Sequence, residues 1–159
     1  MRSAGGAGAT REATPGLADG VAAARNVLCV ALDRGGAQAS IPRCAADALS
    51  LGGKVIVLAA YSPPLSLWEA AGSTVAPWAI RPPAERFRSE VKEMAGPLAS
   101  TVSQVSLVDA DRLVPVVGAL LGEGLVALLR VGCRSRRSAD RRFAEHIARL
   151  LPGSSVESA

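Results

Sequence analysis

Two patterns organise the apolar positions of the chain. Four short segments are dense in apolar and β-branched residues: Asn26–Asp33 (NVLCVALD), Lys54–Ala60 (KVIVLAA), Gln104–Val108 and Leu125–Val131 (LVALLRV). In the first, second and fourth, a run of this length with little polar alternation predicts a strand buried on both faces; Gln104–Val108 predicts a third strand. Between them, apolar residues recur at helical spacing: Ile41, Cys44, Ala45, Ala48 and Leu49; then Phe87, Val91, Met94 and Leu98; then Leu113–Leu121; then Phe143, Ile147, Leu150 and Leu151. Each set predicts a helix with one apolar face.

Turn chemistry punctuates these segments. Arg34–Ser40 (RGGAQAS), with paired glycines, predicts a flexible loop; Ser40 then caps the first helix, with Pro42 in its first turn. Gly52-Gly53 predicts the end of that helix, and Ser62-Pro63-Pro64 the end of the second strand. Residues 65–82 mix Leu67, Trp68, Val75, Trp78 and Ile80 with Gly and Pro in no dominant period, which predicts an ordered loop with room for one short helix. Pro82-Pro83 opens the second helix and Gly96-Pro97 ends it. Pro152-Gly153 closes the last helix, and Ser154–Ser158 (SSVES) predicts a short edge strand.

Strands that alternate with amphipathic helices predict an α/β domain: a parallel five-stranded sheet flanked by helices on both faces, Rossmann-like. Residues 1–24 are rich in Gly and Ala and poor in large apolar groups, so the expectation is a disordered tail followed by one domain over 25–159. In such sheets ligands bind at the carboxyl ends of the strands, where the strand order reverses.

Composition narrows the function. Apolar residues make up 49% of the chain but aromatic residues only 3%, so Ala, Val, Leu and Ile must fill the core. So few rings argue against a base-stacking nucleic-acid platform. Cys29, Cys44 and Cys133 lack metal-type spacing and His146 is the single histidine, so no metal site and no disulfide framework are expected. No apolar run reaches membrane-spanning length, and Arg2 is followed by no compact apolar stretch, so the expected setting is the cytoplasm. The net charge of +4 comes mostly from arginine. Arg130, Arg134, Arg136, Arg137, Arg141, Arg142 and Arg149 concentrate after the fourth strand. This 130–149 cluster suits an anionic ligand or an acidic protein partner, against the plainer reading of a solvated helix face paired to Asp140 and Glu145.

Over residues 26–159 the chain resembles the universal stress protein family. NVLCVALD is similar to that family's opening strand with its terminal Asp, here Asp33; LGGKVIVLAAYSPP is similar to its first helix end and second strand; SLVDADRLVPVVGALL is similar to its third strand and following helix. LVALLRVGCRSRR is similar to the fourth strand running into the phosphate loop. The resemblance implies a regulatory, non-catalytic module in stress response that forms a homodimer through its last strand, with no resident cofactor. The alternative it implies is an ATP-binding member, with nucleotide contacts at Asp33, Ala60, Gly132, Arg134, Ser135, Arg136 and Arg137 and phosphate held by the Gly132–Arg137 loop. The family's nucleotide-binding loop runs Gly, two residues, Gly, nine residues, then Gly and Ser or Thr. Here Gly132 matches the first glycine, Ser135 replaces the second, and Glu145-His146 stand where the last pair belongs. On that count Glu145 brings a like charge near phosphate, and nucleotide binding should be weak.

Four residues carry competing readings. Asp33 either meets a ligand or caps the turn at Arg34-Gly35-Gly36. Cys133, beside Arg134, is either a thiol activated by cations or an inert packing residue. Trp68 and Trp78 either line a ligand cleft or anchor the long loop.

Overall fold

The computed structural model describes residues 24–61 and 77–157, with side chains in the second stretch described from Pro83 onward. The tail over 1–23, most of the loop over 65–82 and Trp68 lie outside the described residues, as do Ser158 and the side chain of Trp78.

Among the described residues, five strands and four α-helices alternate. The strands are β1 (Asn26–Ala31), β2 (Val55–Tyr61), β3 (Val102–Asp109), β4 (Val126–Gly132) and β5 (Ser155–Glu157). The helices are α1 (Arg34–Leu51), α2 (Pro77–Ala95), α3 (Leu113–Gly122) and α4 (Ser138–Ala148). The strands form one sheet in the order β3-β2-β1-β4-β5, and every pairing is parallel.

β1 and most of β2 are buried on both faces because each face has its own helical layer, whereas the edge strand β3 has no fully buried residue. Val27, Cys29, Ala31, Val55, Val57 and Ala59 face Ala37, Ile41, Cys44, Ala45 and Ala48 of α1 and Val91 of α2. Leu28, Val30, Leu58, Ala60, Leu129 and Val131 face Leu113 and Val117 of α3 and Ala144 and Ile147 of α4. Strand residues alternate between the two sets, as the two-residue period of a strand requires.

The first helix departs from its predicted bounds in an informative way. Arg34–Ser40, expected as a flexible loop, forms the first two turns of α1, and the cap is Asp33 rather than Ser40. The Asp33 backbone is extended and its Oδ1 accepts from Gly36 N at 2.6 Å. Ser40 lies fully buried inside the helix and donates to Gly36 O at 2.7 Å. The glycines serve close approach rather than flexibility. A Cβ on Gly36 would lie 2.6 Å from Cys133 N and nearer still to the Gly132 carbonyl. A Cβ on Gly132 would lie 2.5 Å from Ser40 Oγ and nearer still to Gly36 O. Two glycines therefore let α1 pack main chain against main chain on β4. At its other end α1 stops as predicted, with Gly52 left-handed at φ 71° and Gly53 N donating to Ala48 O at 2.9 Å.

Two smaller differences follow from packing, and one expectation holds. Leu49, expected on the buried face of α1, is 71% exposed, because it lies past the part of the helix that faces the sheet. Residues 77–82, expected within a loop, begin α2, so Pro82-Pro83 lie inside that helix rather than opening it. The final strand is the short edge strand expected, and it pairs Arg130–Gly132 of β4 with Ser155–Glu157.

Arg130, counted with the anion-binding cluster, has a different partner set. It bonds to Asp47 of α1, to Ser155 Oγ at 2.9 Å and to Glu157 of β5. Arg43 completes the network at 2.8 Å from Glu157 Oε2. The hydrogen bond to Asp47 raises the Arg130 pKa above its already high value, so the cation is permanent. Arg130 therefore ties α1, β4 and β5 together and is not free for an incoming anion.

Candidate functional site

The strand order reverses between β1 and β4, the two strands that leave the sheet centre in opposite directions. At their carboxyl ends the chain makes two adjacent departures: Leu32-Asp33 into α1, and Cys133–Arg137 into α4. Asp33 joins the two. Its Oδ2 accepts from Arg134 N at 2.8 Å and from Ser135 N at 3.1 Å, while Oδ1 holds Gly36 N. Both readings of Asp33 thus coincide in space: it caps α1 and it stands at the sheet edge.

The loop after β4 is short and internally satisfied. Cys133 N donates to Glu157 O at 3.1 Å, and Arg137 N donates to Ser135 Oγ at 3.2 Å. Ser135 Oγ in turn donates to Asp140 Oδ2 at 2.5 Å. Four N–H groups of the five-residue loop are taken by acceptors of the protein itself. Because α4 begins at Ser138, counting nine residues onward from Ser135 runs into the helix rather than along a loop. Glu145, expected beside the phosphates, is exposed far along α4 and lies 3.9 Å from Arg149. It is therefore no source of repulsion at this edge.

A cavity of about 690 Å³ opens above these departures. Its walls are Leu32, Asp33 and Arg34 from the first; Ala60 and Tyr61 from β2; Phe87 from α2; Ala110 and Asp111 after β3; and Cys133, Ser135, Arg137, Ala139, Asp140 and Phe143 from the second departure and α4. The volume lies in the range of small-molecule sites. Of the residues the sequence proposed for nucleotide contact, Asp33, Ala60, Ser135 and Arg137 line it, whereas Gly132, Arg134 and Arg136 do not. Gly132 is occupied by its approach to Gly36, and the Arg134 side chain passes over Gly35. Arg136, Arg141 and Arg142 are exposed, and Asp140 bonds to Ser135 instead of pairing with them.

Several lining residues were not singled out as site residues: Tyr61, Phe87, Phe143, Arg34, Asp111 and Asp140. The composition held a clue to the first three. The chain has one Tyr and two Phe, and all three line this cavity. The phenol of Tyr61 is raised in pKa by desolvation and is a hydroxyl at neutral pH.

Cys133 is buried, and its thiol is pushed up by that burial and by the nearby carboxylates of Asp33 and Asp140, against a smaller opposing effect of the Ser135 backbone. That direction favours the packing reading of Cys133 over an activated thiol; the neighbouring Arg134 is exposed. On the far side of the sheet Cys29 and Cys44 are fully buried free thiols; the hydrogen bond to Cys29 and burial hold Cys44 far above the ordinary range. Among the described residues no cluster of His, Cys, Asp and Glu is arranged to hold a metal ion, and no helix is long and apolar enough to cross a membrane.

No protein-family model matches the sequence, and no curated protein matches it. A solved structure does: a universal stress protein in complex with cAMP superposes with a TM-score of 0.53 at 17% identity, over 84% of this chain and 96% of that one. With the strand order β3-β2-β1-β4-β5 and paired helical layers, this likeness shows that the chain has the fold of the universal stress proteins.

Proposed function

We propose that the chain is a regulatory ligand-binding module of the universal stress protein type, non-catalytic and homodimeric, whose ligand occupies the cavity at the β1/β4 edge. The observation that carries this reading is the cavity's position, at the reversal of a parallel sheet, with side chains from both departures converging on it. The similar structure's complex with cAMP supports a ligand of nucleotide size. The non-catalytic part rests on the groups at hand. The thiol in the cavity is held protonated, and the single histidine is exposed on α4 outside the lining. The dimer rests on β5, which among the described residues pairs with β4 alone, on one side, leaving its other edge open to a strand of a second copy.

Calorimetry of the protein with nucleosides and nucleotides, repeated on Phe143→Ala, tests the site. Binding that is lost in the variant while its circular dichroism stays native is the expected result. Binding that survives Phe143→Ala unchanged would place the ligand elsewhere.

A further inference from the structure

The edge that would cradle phosphate already holds an anion belonging to the protein. Phosphate recognition at a strand-to-helix departure needs several N–H groups that converge on empty space. Here the N–H groups of Gly36, Arg134 and Ser135 all converge on the Asp33 carboxylate, and that of Arg137 on Ser135 Oγ. The first turn of α4 carries its own carboxylate, Asp140, which supplies the negative charge a helix start favours.

The charge around the cavity points the same way. Among the described residues, Asp33, Asp111 and Asp140 line the cavity together with Arg34 and Arg137. Three negative and two positive groups leave a net charge of −1, and Arg34 further lies 3.9 Å from Glu90. The apolar part of the lining is built for a flat partner. Tyr61, Phe87 and Phe143, the whole Tyr and Phe complement of the chain, line the cavity. Rings prefer offset or edge contact with other rings, and their negative faces tolerate cations and repel anions.

From this we infer that the cavity takes a nucleoside-like ligand, planar at one end and hydroxylated at the other, and discriminates against its phosphorylated forms. The inference rests on the site proposed above but reverses the expectation of a nucleotide. Arg137 is the one lining cation with no carboxylate partner in hydrogen-bond or ion-pair contact among the described residues, and it suits a ribose hydroxyl as well as an oxyanion.

The test is calorimetric titration of the whole chain with the four ribonucleosides, their 5′-monophosphates and ATP, at fixed ionic strength. At least one nucleoside should bind about tenfold or more tightly than its own monophosphate, the size expected from one net like charge at a partly solvated site. Asp111→Asn, which removes a lining charge without touching the cap of α1, should narrow that ratio by several-fold. Asp33→Asn, which keeps a capping side chain, should narrow it further. A monophosphate or ATP that binds as tightly as its nucleoside, or more tightly, overturns the inference and leaves the site standing. Binding of none of these compounds overturns both.

Discussion

If α1 is held against β4 by the absence of two side chains, a methyl group at one of them should be costly where a methyl group elsewhere is beneficial. Gly36→Ala is the direct perturbation. In a helix interior the change from Gly to Ala is worth about 0.8–1.0 kcal/mol in favour of Ala. Here the new Cβ would lie within 3.0 Å of the Gly132 carbonyl and the Cys133 nitrogen. Both belong to main chain rather than to the end of a flexible side chain, and β4 is held by β1 on one side and β5 on the other. Relief therefore requires a shift of a whole helix, which puts the cost at the upper end of overpacking, about 3 kcal/mol. The net loss is about 2 kcal/mol, or a fall in Tm of roughly 6–10 °C for a domain of this size. Gly118→Ala is the matched control: it lies on the exposed side of α3 with nothing within 4 Å of the new Cβ. That variant should gain up to about 1 kcal/mol and melt a few degrees higher than the parent. Calorimetric unfolding of both proteins in one buffer gives the comparison. Gly36→Ala melting at or above the parent would refute the close-approach reading.

Glu157→Gln should lower stability by about 2 kcal/mol, between the value of an exposed pair and a buried one, since it uncouples Arg130 and Arg43 at a position 9% exposed; a denaturant midpoint equal to the parent's would show that solvent already screens the network. Cys133 should react slowly with thiol reagents at neutral pH, and its rate should climb only at pH values above those of an ordinary cysteine, because its thiolate is disfavoured in the fold. The sign for stability follows: the unfolded chain releases this proton first, so the contribution of Cys133 is fully present below the unfolded pKa and is lost as pH rises toward the folded one. Rapid labelling at pH 7, mapped by mass spectrometry, would contradict that. Light scattering at micromolar concentration should return twice the chain mass, and a monomer mass would remove the proposed dimer.

What could be read from the sequence follows from what determines each feature. The buried strands were legible because burial on both faces demands an unbroken apolar run, and here short length, β-branched residues and flanking Gly and Pro separate that run from a buried helix. The helices were legible where they carry one apolar face, as with Phe87, Val91 and Met94. The start of α1 was not. Two adjacent glycines have the same composition whether they supply flexibility or space, and only the position of Gly132 on a neighbouring strand distinguishes the two. Arg130 was misread for a similar reason. Its partners, Asp47 and Glu157, come from positions 83 residues before and 27 residues after it. Asp33 and the site's location were legible because a parallel sheet exposes one edge to ligands. The cavity's rings were not, because Phe87 and Phe143 fit equally well on helix faces that pack only on the core.

The shortened loop after β4 explains how the fold can persist with so little of the family's phosphate motif. A long glycine-rich loop needs an anion to gather its N–H groups, and without one those groups turn to water. In this chain α4 begins at Ser138, so only five residues separate it from the end of β4. Glycine at 36 and 132 brings α1 close enough for the Asp33 carboxylate to reach Arg134 N and Ser135 N. A carboxylate that accepts three main-chain N–H bonds is a well-solvated ion at a helix start, where the dipole also favours it. The loop is thereby ordered by a covalent part of the chain, at no cost in ligand affinity. A bound phosphate would have to displace Asp33 and leave that charge facing its own, whereas a neutral ligand can use the preformed walls as they stand. On the inference drawn above, the residues that order the sheet edge are the same residues that set which charge the cavity accepts.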